Sequence, residues 1–226
     1  VKKEVPKIKK DINDERTRRS NLTRADLKKA YLELKNSNLD SGMRIKFAAD
    51  LAESNEISYH YELIIKDWEQ NLNLYLENGF YKHDREGIEF LFGKLDENLD
   101  EKIIVYTAYL LAKALSQLKH REFYLAFCNK ACDILVSLLD TNDDNLRCKV
   151  IIAIGWIGAS NEIELLAHQL LCDEEAICRA WSASSLMQMM FHRVKIEELQ
   201  ERTKLSFLEG ISSEMDLYTS GIMIEA

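Results

Sequence analysis

Hydrophobic residues recur every three or four positions along most of the chain, the spacing of amphipathic α-helices. The clearest example is residues 57–79, which end at Gly79. Its apolar positions lie on one helical face: Tyr61, Ile64, Ile65, Trp68, Leu72, Tyr75 and Leu76. The same spacing predicts about ten helices in all, and no segment alternates as a strand does. The predicted helices cover residues 22–36, 38–55, 57–79, 85–95, 96–118, 120–140, 145–158, 161–171, 175–191 and 196–211.

The composition supports helices joined by short polar turns. Only 8 of the 226 residues are glycine and 1 is proline, too few for the many turns of a sheet protein. Consecutive helices with short connections pack as antiparallel hairpins, and each hairpin leaves an apolar face for the next to cover. The predicted fold is therefore all-α: an α-α superhelix of stacked antiparallel helical hairpins.

Two segments repeat a common pattern. Residues 140–155 and 171–186 both contain an acidic cluster, an apolar residue, a basic residue and then a helix of small apolar residues. In the first segment Asp144 is followed by Arg147, Ala153 and Gly155. This region resembles a HEAT repeat, in which an Asp in the turn and a following Arg precede a small-apolar helix. The resemblance is good over 140–192, fair over 96–139 and poor before residue 80.

The second segment departs from the HEAT pattern. Arg179 comes one position late, and Ser185–Leu186 replaces the usual ending with glycine. The resemblance, which extends to the HEAT-like, phycobilisome-lyase-type solenoids, implies a curved helical stack that binds a protein partner. It also leaves open an enzyme-assisting role of the kind played by HEAT-type lyases that attach bilin chromophores.

Two glycines flank Trp156 inside a predicted helix. Gly155 and Gly158 are not followed by the Lys-Ser or Lys-Thr of a phosphate-binding loop. We therefore expect Gly155 to allow close approach of the preceding helix, and Gly158 to end its own helix. Asn161 is then expected to cap the next helix.

Charge is unevenly distributed. Residues 1–35 hold 12 basic and 6 acidic side chains, whereas the remainder holds 18 and 32, so the formal net charge is −8. The sequence predicts a basic N-terminal arm with a first helix in residues 1–36 and a HEAT-like repeat domain in residues 37–226. A basic arm of this kind suggests phosphate contacts, so a nucleic-acid-associated module is the alternative function. The acidic body argues against that alternative.

Acidic residues cluster at the predicted turns, and equivalent turns line up along one side of a hairpin stack. We call these clusters the acidic edge: Asp96, Glu97, Asp100 and Glu101; Asp140, Asp143 and Asp144; Asp173, Glu174 and Glu175. The predicted function is a non-enzymatic protein–protein interaction module that binds along the groove or this edge. The predicted partner-binding residues are Asp143, Asp144, Arg147, Glu174, Glu175 and Arg179.

No catalytic, cofactor-binding or metal-binding motif stands out. Serines at 182, 184 and 185 lack a nucleophile elbow, and the pair His83–Asp84 is expected in a solvated loop. The five cysteines are expected to be reduced, buried thiols in a cytoplasmic protein without a membrane span. The identity of the protein partner and the oligomeric state stay open.

Overall fold

A computed structural model describes residues 4–36, 40–68, 70, 72–97, 100–192, 194 and 196–226, with side chains described from residue 11 onward. Every regular element in this part of the chain is helical, and none of these residues forms a strand. The prediction of an all-α solenoid is confirmed. No described helix is both long and apolar enough to span a membrane. The helices are α1 Glu4–Ser20, α2 Arg24–Asn36, α3 Ser41–Ala52, α4 Ile57–Lys66, α5 Asn73–Gly79, α6 Asp84–Glu97, α7 Glu101–Gln117, α8 Tyr124–Ser137, α9 Asp144–Ile157, α10 Ile163–Cys172, α11 Ala176–His192, α12 Glu197–Ser213 and α13 Leu217–Glu225, with 3₁₀ turns at Phe80–His83 and Ser160–Glu162.

The long helix predicted over residues 57–79 is wrong, because the chain turns between α4 and α5. Asp67 ends α4, and its carboxylate is buried and accepts a hydrogen bond from the hydroxyl of Tyr31 on α2. On α2 as well, Lys35 Nζ lies 3.8 Å from the other carboxylate oxygen of Asp67. These polar contacts fix the break, which a count of hydrophobic positions does not detect.

Two helices lie outside the predicted set. The expected solvated arm folds into α1 although it carries no apolar stripe, because Arg18 and Arg19 bind the C-terminal half of α3. Arg19 donates to Glu53 at 2.8 Å and lies 3.3 Å from Asp50, which Arg18 also contacts. At the other end, α13 begins where Asp216 accepts a hydrogen bond from Thr219 N at 2.8 Å.

The chain divides into two compact units, Val1–Phe90 and Leu91–Ala226. The division predicted after residue 36 is a different one, and it stays a prediction. In unit 1, α3 packs against α2, α4 and α5. Its interior contains the imidazoles of His60 and His83, with His60 Nδ1 2.9 Å from His83 Nε2. His83 is therefore buried in a 3₁₀ turn, and the expected solvated loop is wrong.

Unit 2 is a two-layered helical stack. In the first layer α7, α9, α11 and α13 pack side by side. In the second layer α8 packs against α7 and α9, whereas α10 and α12 pack against each other and against α11. Fully buried aliphatic residues fill the space between the layers: Leu110, Leu111, Leu115, Ile151, Ile154, Leu166, Leu170 and Leu186.

The helices of the first layer run in the same direction. Cys148 and Gly155 of α9 lie beside Cys178 and Ser185 of α11, so residue numbers rise together along the two helices. Tyr109 of α7 contacts Trp156 of α9 with its ring tilted by 58°, at 4.9 Å between ring centroids. The N-terminal ends of these helices therefore lie on one side of unit 2.

The two glycines have structural roles, with one change from expectation. A Cβ at Gly155 would stand 2.7 Å from Ser185 Cβ, so the close neighbour is the later helix α11, not the preceding helix. Gly158 is the residue that ends α9, as predicted. Asn161 does not cap α10 because it lies inside a 3₁₀ turn, where Glu162 accepts from Ala159 N at 2.6 Å.

Candidate partner-binding surface

Aspartates occupy the turns before the first-layer helices. Asp100 accepts from Ile103 N at 3.1 Å, and Asp143 accepts from Asn145 N and Leu146 N at 2.9 and 3.1 Å. Each carboxylate satisfies backbone donors at a helix start and interacts favourably with the positive end of the helix dipole. Because the helices are parallel, these turns come to the same end of the stack.

The predicted partner-binding carboxylates differ in exposure. Asp143, Glu174 and Glu175 are exposed, whereas Asp144 is half-buried and lies 2.7 Å from Arg147 Nη2. Asp100 and Glu101, before and within the first turn of α7, are also exposed. The structure therefore presents exposed acids at the starts of three neighbouring first-layer helices.

The other predicted members of the acidic edge are placed differently. Asp96 and Glu97 were expected at a helix start but belong to the last turn of α6, because α6 continues to Glu97. Asp140 is exposed in the turn after α8. Asp173 is not a surface residue, since its side chain is only 2% exposed.

Arg147 joins two successive repeats. Its Nε and Nη2 donate to the two carboxylate oxygens of Asp173 at 2.8 and 2.9 Å, and its Nη1 donates to Thr141 O at 3.0 Å. Only 12% of the Arg147 side chain is exposed. These charge-assisted hydrogen bonds raise the pKa of Arg147 above its ordinary value.

Arg179 repeats this arrangement one hairpin later. It donates through Nε and Nη2 to Glu214 at 2.6 and 2.8 Å, and through Nη1 to Asp173 O at 2.7 Å. In both repeats the arginine binds the carbonyl six residues earlier and the carboxylate ahead of the next first-layer helix. The hydrogen bonds from Arg179 lower the pKa of Glu214 to about 2 despite the opposing effect of burial.

Arg147 and Arg179 therefore hold the repeats together, and their guanidinium groups are already occupied. Sequence reasoning missed Glu214, the partner of Arg179. The available signal was the pattern itself, since an acid precedes α13 just as Asp173 precedes α11. Contact between the predicted partner-binding residues and a partner stays a prediction.

Aromatic and basic side chains cover the outer face of the first layer, a feature that sequence reasoning missed. Lys149 lies 5.5 Å from the ring of Tyr109, and Lys113 lies 5.8 Å from the ring of Trp156. Trp181 of α11 is 40% exposed on the next helix. A groove of about 290 Å³ follows between α11 and α13. Its lining is mainly apolar: Ile177, Ala180, Trp181, Ser184, Met187, Tyr218, Ile222, Glu225 and Ala226.

Within the described residues, no group of three or more His, Cys, Asp or Glu side chains is arranged to hold a metal ion.

In the comparisons with known proteins, the family of HEAT repeats matches residues 99–187. No curated protein and no solved structure matches the chain. The matched segment begins just before α7 and ends within α11, so it contains α7, α9, most of α11 and the Arg147–Asp173 pair. Residues 99–187 are therefore similar to HEAT repeats.

Proposed function

We propose that this chain is a non-enzymatic protein-interaction module whose acidic edge binds a basic surface of a protein partner. HEAT repeats commonly serve as protein-interaction modules, which supports the general class. The observation that carries the specific proposal is the alignment of exposed carboxylates at the starts of α7, α9 and α11. The residues proposed to contact the partner are Asp143, Glu174 and Glu175, with Asp144 beside them.

The arginine pairs support this proposal by making the edge rigid. Arg147 and Arg179 tie each turn to the next, so the carboxylates keep a fixed spacing when the partner arrives. A fixed charged surface loses little conformational entropy on binding, and its field accelerates encounter with an oppositely charged protein. Arg147 and Arg179 thus act as positioning residues, not as direct contacts.

The nucleic-acid alternative is less well supported. It requires the basic N-terminal segment to reach phosphates, but Arg18 and Arg19 are engaged by Asp50 and Glu53. The exposed acids of unit 2 would also repel a phosphate backbone.

The test uses a variant that removes charge without removing helix caps. Asp143→Asn keeps a side-chain oxygen for the start of α9, and Glu174→Lys with Glu175→Lys reverses the next turn. The matched control carries the same total charge change on α12, as Glu197→Gln, Glu198→Lys and Glu209→Lys. Partners captured by the parent chain from an extract of its source cells are identified, purified and measured for association rate against ionic strength.

We expect the edge variant to associate at least tenfold more slowly than the parent at low salt, and the control to stay within twofold. The parent's rate should fall as the Debye length shortens from about 10 Å at 0.1 M salt to about 3 Å at 1 M. Equal rates for the edge variant and the control would refute the acidic edge as the binding surface. Tight binding of DNA or RNA by the parent at physiological salt would favour the alternative.

A further inference from the structure

Two thiols face each other across the interface between α9 and α11. Cys148 Sγ lies 3.1 Å from Cys178 Sγ, and both residues are buried. Cys178 Sγ is also 3.5 Å from Asp144 O, near the N-terminal end of α9. The two helices belong to successive repeats, and 30 positions separate the cysteines in the sequence.

The Arg147–Asp173 pair lies next to these thiols and holds the same two helix ends together. Arg147 directly precedes Cys148, and Asp173 lies in the turn that leads into α11. A disulfide needs its sulfurs about 2.0 Å apart, so the two sulfurs must approach by roughly 1 Å. Side-chain rotation can supply a movement of this size without separating the helices.

The two thiols are chemically unequal. The hydrogen bond with the Cys178 thiol lowers the pKa of Cys148 in spite of burial, while the charges of Asp173 and Arg147 act in opposite directions. The same hydrogen bond and burial raise the pKa of Cys178. Cys148 is also the less buried of the two residues, with 8% exposed against 0% for Cys178, so a peroxide reaches Cys148 first; Cys148 is therefore the attacking sulfur and Cys178 its resolving partner.

We propose that Cys148 and Cys178 form a redox modification site that hydrogen peroxide converts into a disulfide between adjacent repeats. The Cys148 thiolate attacks one peroxide oxygen, the O–O bond breaks, and the departing oxygen leaves as water after protonation, giving a sulfenic acid. Cys178 then attacks that sulfur, the S–S bond forms, and the S–O bond breaks with release of a second water. Two electrons pass from the two sulfurs to one peroxide molecule.

The disulfide would fix the spacing of α9 and α11 at the end that carries Asp143 and Glu174. Small peroxides suit a site at a helix end, where only 8% of Cys148 is exposed and Cys178 is covered. The proposal does not depend on the proposed partner binding, and its test requires no partner.

The test treats the folded 226-residue chain with one equivalent of hydrogen peroxide and then counts free thiols after denaturation. We expect the count to fall from five to three, with the mass reduced by two hydrogen atoms. A peptide map should find Cys148 joined to Cys178, and dithiothreitol should restore five thiols. Peptide mapping of the unmutated chain keeps this test valid even where a cysteine variant folds poorly.

Matched serine variants locate the reaction. Cys148→Ser and Cys178→Ser should each abolish the intramolecular disulfide, whereas Cys128→Ser and Cys172→Ser should form it within twofold of the parent rate. Circular dichroism confirms that each variant is folded. A map in which Cys148 and Cys178 stay fully alkylatable, while Cys172 is oxidised or links two chains, would overturn the proposal.

Discussion

Arg147 on α9 donates two hydrogen bonds, of 2.8 and 2.9 Å, to the carboxylate of Asp173 in the turn before α11. The carboxylate is almost completely buried, since 2% of its side chain is exposed. Without Arg147, the buried carboxylate would keep the backbone N–H of Glu175 as a hydrogen-bond donor but would lose the cation that binds both of its oxygens. In the repeated pattern, each Arg follows an acidic turn in its own repeat. Arg147 binds the Asp of the next repeat, so this pair connects the sequence pattern to the stacking of successive repeats.

We predict that Arg147→Ala lowers the free energy of unfolding of unit 2 by roughly 3 kcal/mol, the usual cost of leaving one member of a buried pair unpaired. Chemical denaturation followed by circular dichroism measures this change. The matched control is Arg202→Ala, because Arg202 pairs with Glu164 on the surface with both side chains more than half exposed. The control should change stability by less than about 0.5 kcal/mol. Equal effects of the two substitutions would contradict a structural role for Arg147.

Gly155→Ala should destabilise the contact between α9 and α11. The new Cβ would lie 2.5 Å from Ser185 Oγ and 3.1 Å from Ser185 Cα, and the backbone atom cannot move aside cheaply. We expect a cost of about 1–3 kcal/mol. Gly93→Ala is the control, since a Cβ at Gly93 meets nothing within 4 Å and should stabilise its helix by about 0.5–1 kcal/mol.

The clash can also be tested by rescue. Ser185→Gly removes Oγ and Cβ, the two atoms nearest to a Cβ at residue 155, although it also removes the hydrogen bond to Ile151 O at 3.1 Å. A double-mutant cycle should therefore give a favourable coupling between the two substitutions. Simple additivity would mean that Gly155 is not the point of close approach.

The sequence predicted the fold well where a helix buries an apolar stripe. The helices α7 to α12 all followed from that stripe, and the Asp–Arg pattern led to the HEAT resemblance. The sequence-based prediction of helices was wrong where polar contacts between distant residues determine the structure. Asp67 breaks the predicted helix by binding Tyr31, and Arg18 and Arg19 hold α1 without any apolar stripe. Such contacts join distant segments, so no local pattern reveals them.

The candidate surface was predictable only in part. The acidic turns were visible as clusters of charge, and the predicted helices gave their order along the chain. Their burial was not visible, because Asp173 and Glu174 are adjacent in sequence yet one is buried and the other exposed. Whether a carboxylate in a turn is buried or exposed depends on how the neighbouring repeat packs against that turn, and the local sequence does not show this packing.

We predict that one thiol reacts much faster than the others in the native chain. Cys172 is exposed at the end of α10, whereas the other four cysteines are buried. The exposure of Cys172 contradicts the sequence-based expectation that all five thiols are buried. Brief labelling with a maleimide, followed by peptide mapping, should modify Cys172 first, and Cys172→Ser should remove the fast phase. Rapid labelling of Cys128 or Cys132 on α8 would contradict the described burial.

The buried imidazoles of unit 1 should be neutral throughout the physiological range. His60 Nε2 lies 3.0 Å from Leu76 O, so it carries the proton and donates to that carbonyl. Its Nδ1 is then the acceptor for the N–H of His83. Burial lowers the pKa of His60 to about 3 and that of His83 to about 4. Proton NMR should show that the imidazole signals of His60 and His83 do not titrate between pH 7.5 and pH 5.

These lowered pKa values predict that unit 1 loses stability as the pH falls below about 6.5, the value for an unfolded histidine. Above that pH both states are neutral; below it the unfolded chain binds protons that the folded chain excludes. At pH 5 each histidine should lower the free energy of unfolding of unit 1 by about 2 kcal/mol, so the pair should lower it by about 4 kcal/mol. His83→Gln keeps a donor for His60 and should halve this dependence of stability on pH. Urea unfolding at pH 7.5, 6 and 5 measures the slope, and a stability that does not change across this range would contradict the buried, neutral pair.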